Sequence, residues 1–87
     1  MLKIKLQYPI TINNKKIDTL TLRRPKTKDI IAARKYSNID VEQDLFLYSR
    51  IIEENLSPEE IEELDIVDFQ NLQEEYLNFL HKNSPKT

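Results

Sequence analysis

The stretch Leu2-Lys3-Ile4-Lys5-Leu6-Gln7-Tyr8-Pro9-Ile10-Thr11-Ile12-Asn13-Asn14-Lys15-Lys16-Ile17-Asp18-Thr19-Leu20-Thr21-Leu22 decides the fold. Leu2, Ile4 and Leu6 alternate with Lys3, Lys5 and Gln7, the period-two pattern of a strand with one apolar face. Tyr8-Pro9 interrupts the pattern, and a proline there predicts an edge position or a bulge. Ile10 and Ile12 resume the alternation. Asn13-Asn14-Lys15-Lys16 reads as a polar turn, followed by Ile17, Leu20 and Leu22 with Thr19 and Thr21 between the leucines. The spacing slips between Ile17 and Leu20, which marks either a bulge or the start of the second strand. The chain has no glycine, so a tight turn that needs positive φ falls to Asn. The two strands and turn make an antiparallel β-hairpin. A hairpin alone is marginal in water, so it must pack on something.

Beyond it the period changes to that of helices. Arg23-Arg24-Pro25-Lys26 ends the sheet, because Pro25 cannot donate to a ladder and biases Arg24 towards extended backbone. Thr27 is the expected cap of a first helix reaching about Tyr36, with Asp29 near its positive end and Ile30, Ile31 and either Ala33 or the stem of Arg34 on its buried side. Ser37-Asn38 breaks it. Asp40-Val41-Glu42-Gln43 has the form of a capping box. The helix it opens carries Val41, Leu45, Tyr48 and Ile52 on one stripe, widened by Leu47 and Ile51, the broad face of a central helix. Ser57-Pro58-Glu59-Glu60 combines a Ser cap, a first-turn Pro and a Glu three residues on, a start signal for a short third helix burying Ile61 and Leu64. Asp65 is the expected cap of the last helix, where Phe69, Leu72, Tyr76, Phe79 and Leu80 recur at intervals of three and four. Lys82 falls in its last turn, favourable to the helix dipole.

The fold class is therefore α+β, an N-terminal hairpin packed on three to four helices. A single domain over residues 1–82 divides into a hairpin, 2–24, and a helical part, 27–82, with 83–87 as a flexible tail. Charge divides at nearly the same place. Residues 1–36 hold ten Lys or Arg and two acids, net +8, whereas residues 37–87 hold thirteen acids and three bases, net −10. Such a split suits two faces to different neighbours. The bland reading is that the halves complement each other within one molecule.

Several chemistries are excluded or disfavoured. The chain has no cysteine, so it has no disulfide, thiolate metal site or thiol nucleophile. Without glycine it can form no phosphate-cradling loop or dinucleotide fingerprint. His81, the only histidine, has neither nucleophile nor orienting acid near it in the pattern, and reads as a surface residue. The run Glu59, Glu60, Glu62, Glu63, Asp65 and Asp68 interleaves Ile61 and Leu64 at helical spacing, which makes it a solvated helix face rather than a calcium loop. The cluster Arg23, Arg24, Lys26, Lys28, Arg34 and Lys35 could contact phosphates, but the net charge is −2 and the acidic half would repel a duplex. The stripe Phe69, Tyr76 and Phe79 is core by default, or in part an anchor for another protein. No apolar run approaches the ~20 residues of a membrane helix, and Met1-Leu2-Lys3-Ile4 alternates too early for a signal peptide.

The order of segments resembles the tail assembly chaperones of long-tailed phages, in the Mu-like branch called the E or forty-one type. The resemblance rests on Tyr8-Pro9-Ile10-Thr11-Ile12 and on Ile17 running through Leu22 into Arg23-Arg24-Pro25-Lys26-Thr27-Lys28-Asp29. It continues through an acidic helix from Asp44 to Glu54, through Leu56-Ser57-Pro58-Glu59-Glu60-Ile61-Glu62-Glu63-Leu64, and into Asp65-Ile66-Val67-Asp68-Phe69. It covers about residues 2–80. Relatives often carry Asp-Gly at the hairpin turn, where this chain has Asn13-Asn14. The resemblance implies a non-enzymatic chaperone without cofactor or metal. Such a protein binds the tape measure protein, keeps it soluble, helps recruit tail tube subunits and leaves before the tail is complete. It would act in the cytoplasm of the host cell and be absent from the mature virion. Many relatives are made in two lengths by a programmed frameshift. Arg23 and Arg24 at the hairpin exit, with Tyr76 and Phe79 of the last helix, are the partner-binding residues this reading selects. Self-association stays open. The alternative is a small regulatory nucleic-acid-binding protein using the basic half.

Overall fold

Asn13 and Asn14 take φ of 53° and 65°, the left-handed pair that a two-residue hairpin turn demands and that Asn tolerates best after Gly. The turn is therefore tighter than the four polar residues suggest. It joins β1 (Leu2–Ile12) to β2 (Lys15–Leu22) in an antiparallel two-stranded sheet. The computed structural model describes residues 1–82; the tail expected at 83–87 lies outside them. Four helices follow: α1 (Thr27–Tyr36), α2 (Asp40–Ile51), α3 (Pro58–Ile61) and α4 (Ile66–Lys82). The α+β architecture read from the sequence is the one observed.

The slip in spacing resolves into a bulge, and it sits in β1. Ile4 pairs with Leu20 and Lys5 with Thr19, then pairing resumes at Ile10 with Ile17, so that residues 6–9 lie opposite Asp18 alone. β2 runs unbroken from Lys15. The odd offset is what lets both strands keep their apolar residues inward: Ile4, Leu6, Ile17, Leu20 and Leu22 are all buried. Pro9 falls in the bulge, where a missing N–H breaks no ladder bond.

A bulge strands backbone donors, and a helix supplies their acceptor. The Asp68 carboxylate, 1% exposed, accepts from the Gln7 N–H and the Tyr8 N–H, each at 2.9 Å. Asp68 lies in the first turn of α4, so this contact docks α4 across β1. The outer edge of β2 is covered by the chain leaving α2. Arg23 N–H donates to Ile51 O at 3.0 Å and Glu53 N–H to Thr21 O at 2.8 Å. Leu22 bridges Ile52, and the Glu54 carboxylate accepts from the Thr21 N–H and hydroxyl at 2.8 and 2.9 Å. The helical half thus covers the end of β2 and binds the β1 bulge, which reduces the liability of an open hairpin.

One core lies between the sheet and the helices. It joins the inner face of the hairpin to Ala33 of α1, Leu45, Leu47, Tyr48 and Ile51 of α2, Ile52, Leu56, Ile61, Leu64, and Leu72 and Tyr76 of α4. α2 packs on both α1 and α3, and α4 packs on β1, which is the central role its broad stripe predicts. Ser57 caps α3 as read: its hydroxyl accepts from Glu60 N–H at 3.1 Å while Glu60 accepts from Ser57 N–H at 2.9 Å. Asp65 caps α4 through Val67 N–H at 2.9 Å.

Two other caps differ from expectation. The cap of α1 is Lys26, not Thr27. Lysine offers no acceptor, so only the reach-back bond is made, from Lys26 N–H to Asp29 at 2.7 Å. The cap of α2 is Ile39, not Asp40, because Ser37 takes the capping work from outside: its hydroxyl accepts from Ile39 N–H at 3.0 Å and donates to Glu42 at 2.7 Å. Ile31 and Val41, expected inside, are 49% and 48% exposed.

Replacing Asp68 with Ala leaves two backbone donors without their acceptor. Urea unfolding should show a loss of about 2–4 kcal/mol, with Asp68→Asn losing less because one acceptor oxygen remains. A loss under about 0.5 kcal/mol for the alanine variant, the scale of ordinary surface changes, would refute the role given to this carboxylate.

Candidate partner-binding surfaces

Arg23 leaves β2 and turns inward. Its guanidinium donates to both oxygens of Asp29, at 2.9 and 3.1 Å, and to Arg50 O at 3.1 Å. Arg50, at the end of α2, adds a bond to Asp29 at 2.9 Å. Asp29 is fully buried, and with Lys26 N–H it accepts from the β2 exit, the start of α1 and the end of α2 together. The Arg23 guanidinium first, then the Lys26 amide and Arg50, hold its carboxyl well below the usual carboxylate range against the opposing effect of burial. Arg23 is thus committed to an internal knot.

Arg24 points the other way, towards α4. Its guanidinium lies over the Phe79 ring, 5.2 Å from the centroid, and donates to Phe79 O at 3.3 Å. A cation beside the last carbonyls of a helix is favoured by the helix dipole as well as by the ring face. The structure therefore joins two of the four selected residues, from opposite ends of the chain. Around them, Arg23, Arg24, Lys26 and Lys28 line a concave region of about 240 Å³, ringed by cations. Phe79 is half-buried under Arg24.

Tyr76 belongs to the core. It is 7% exposed and meets Tyr48 edge-on at 5.4 Å, while Tyr48 meets Phe69 edge-on at 6.1 Å. Burial, and then the Asp44 charge, raise the phenol pKa of both tyrosines. Asp44 is itself raised, chiefly by burial, with its bond to Gln73 opposing.

A second surface was not legible in the sequence as a site. Val41, Leu45, Leu64, Ile66 and Phe69, with Glu62, line an apolar groove of about 200 Å³ where α2, the end of the α3 segment and the start of α4 converge. Ile66 is 63% exposed. The signal that could have found it is local: Val41 and Ile66 sit beside helix starts, where the inward stripe has not yet closed.

His81 is exposed at the end of α4, as its isolation predicts. Among the described residues no group of three or more His, Asp or Glu side chains could hold a metal ion. No helix there is long and apolar enough to cross a membrane.

A family model described as "Phage tail assembly chaperone proteins, E, or 41 or 14" matches residues 3–81. No curated protein and no solved structure matches the chain.

The knot at Asp29 has a pH signature. A depressed carboxyl stabilises the fold fully above its unfolded pKa of about 3.9, and that contribution is lost as pH falls towards the lower folded value. Asp29→Asn should cost about 2–4 kcal/mol at neutral pH, below the fully buried case because the Arg23 and Arg50 side chains are 32% and 34% exposed. The gap between variant and parent, read by urea unfolding, should shrink by about 1 kcal/mol at about pH 3. An unchanged gap would contradict the assignment.

Proposed function

The chain belongs to the phage tail assembly chaperone family, and from that premise we propose that it binds the tape measure protein and keeps it soluble while the tail tube assembles. The family match over residues 3–81 carries this reading. On it the protein is a binding module rather than an enzyme, needs no cofactor, acts in the host cytoplasm and leaves before the virion is complete. Tail tube subunits are further partners on the same reading.

The surface best suited to the client is the Arg24–Phe79 pair with its cationic rim. A chaperone of a long helical client must cover apolar stripes without fixing them permanently. The half-buried Phe79 supplies a small apolar anchor, and Lys26 and Lys28 supply charge that steers encounter more than it deepens affinity. Exchange is then fast and sensitive to salt. Arg23 and Tyr76 serve this surface indirectly, Arg23 by fixing the β2 exit and Tyr76 by seating α4.

Co-expression with the tape measure protein encoded beside this chain tests the reading. A soluble complex with several copies per client, when the client alone aggregates, is the expected outcome. Arg24→Glu combined with Phe79→Ala should weaken client retention about tenfold or more, with the helical circular dichroism signal unchanged. Failure to form any complex, together with retention on duplex DNA at moderate salt, would overturn the proposal in favour of the basic half acting on nucleic acid.

A further inference from the structure

Before its bulge, β1 is bonded along one side only. Thr21 of β2 turns its N–H and C=O away from β1, to the Glu54 carboxylate and the Glu53 N–H. Its partner Lys3 therefore belongs to a non-hydrogen-bonded pair, and turns its own N–H and C=O away from β2. Lys5, two residues on and opposite Thr19, does the same. Further along, the outward donors of Gln7 and Tyr8 are taken by Asp68. Among the described residues no hydrogen bond from beyond the hairpin reaches the backbone of Lys3 or Lys5. Each of the two offers one N–H and one C=O at the free edge.

The side chains of this stretch sort by face. Ile4 and Leu6 turn to the core and are buried. Lys3 and Lys5 lie on the outer face and are exposed. Among the described residues the ion pairs are Arg23–Asp29 and Arg50–Asp29, so neither ammonium is matched by a carboxylate. Lysines on an edge guard it against strand pairing, but the guard is selective. A second β1 laid here would set lysine beside lysine, and like charges directly opposite are destabilising. An extended segment with acids at alternate positions would instead set a carboxylate beside each ammonium. Its intervening side chains would then fall on the face of Ile4 and Leu6, where apolar residues are favoured.

We propose that the Lys3–Lys5 edge of β1 takes up an extended segment of a partner protein as an added strand, one with Asp or Glu at alternate positions and apolar residues between them. Backbone bonds to Lys3 and Lys5 supply the affinity, and the two ammoniums choose the segment. The added strand is short, because Asp68 occupies the edge at Gln7 and Tyr8. This rests on the edge alone and not on the identity of the client held at Arg24 and Phe79.

Amide-resolved NMR of the full chain, titrated with a blocked heptapeptide of alternating Glu and Val, tests it. The peptide should shift the Lys3 and Lys5 amide resonances and slow their hydrogen exchange about tenfold or more. Added salt should weaken the binding. A heptapeptide of alternating Lys and Val should do neither. Lys3→Glu combined with Lys5→Glu should reverse the choice, binding the Lys peptide and releasing the Glu peptide. Both side chains are exposed, and circular dichroism verifies that this variant folds. The proposal is overturned if the Glu peptide leaves both amides unchanged, or if both peptides bind the parent equally. It is also overturned if resonances shift while Lys3 and Lys5 exchange as fast as before, which would mean contact between charges without an added strand. Binding of a single-stranded oligonucleotide at these lysines in place of the Glu peptide would overturn it too.

Discussion

The fold depends on carboxylates that reach backbone amides far away in the chain. A hairpin with residues 6–9 opposite Asp18 alone cannot complete its own ladder. Asp68 closes the gap from sixty residues away by accepting from Gln7 and Tyr8. Glu54 does the equivalent on the opposite edge at Thr21, and Asp29 makes the same kind of bond locally, to the Lys26 amide three residues before it at the start of α1. Each bond is charge-assisted and satisfies a donor that would otherwise be stranded. Together they hold the hairpin against α4, against the chain leaving α2, and at the turn into α1.

Much of this fold is legible in the sequence because its signals are local. The Asn13-Asn14 turn, the Ser57-Pro58 helix start and the Asp65 cap each follow from backbone needs within a few residues. The role of Asp68 is not legible in that way. Its position marks it as a first-turn acid, and only the folded chain brings it to the bulge. The same limit applies to Arg23, whose place in a basic cluster suggests a surface role, whereas Asp29 and Arg50 draw it inward. Periodicity also overreaches: Val41, in the first turn of α2, and Ile31, in the middle of α1, fit their stripes, yet both are about half exposed. Of the residues singled out for partners, Arg24 and Phe79 meet at the surface and Tyr76 is buried against Tyr48. Helical spacing alone does not separate Tyr76 from Phe79. The difference comes from how far α4 has run past α2.

The charge asymmetry gains a physical meaning from the structure. Long-range carboxylate–amide bonds, the Arg50–Asp29 pair and the contacts of Arg23 and Arg24 join the halves using only a few charges, so most lysines and glutamates remain solvated. Exposed pairs of this kind contribute little to stability, about 0–1 kcal/mol each, and leaving them unpaired costs the fold little. The result is a small domain with an apolar groove bordered by Glu62, an aromatic ring under Arg24 and an unpaired edge on β1. Such a surface fits a protein whose work is reversible contact, as membership of a tail assembly chaperone family implies.

Amide hydrogen exchange at Gln7, Tyr8 and Thr21 tests the central claim most directly. The side chains of Gln7 and Tyr8 are exposed, and a bulge on an open edge would exchange at the rate of a frayed loop. If Asp68 and Glu54 hold these edges as an integral part of the fold, the three amides will be protected to nearly the same degree as those of the core, exchanging only with global unfolding. Exchange of Gln7 and Tyr8 at loop rates, with the core still protected, would contradict the account.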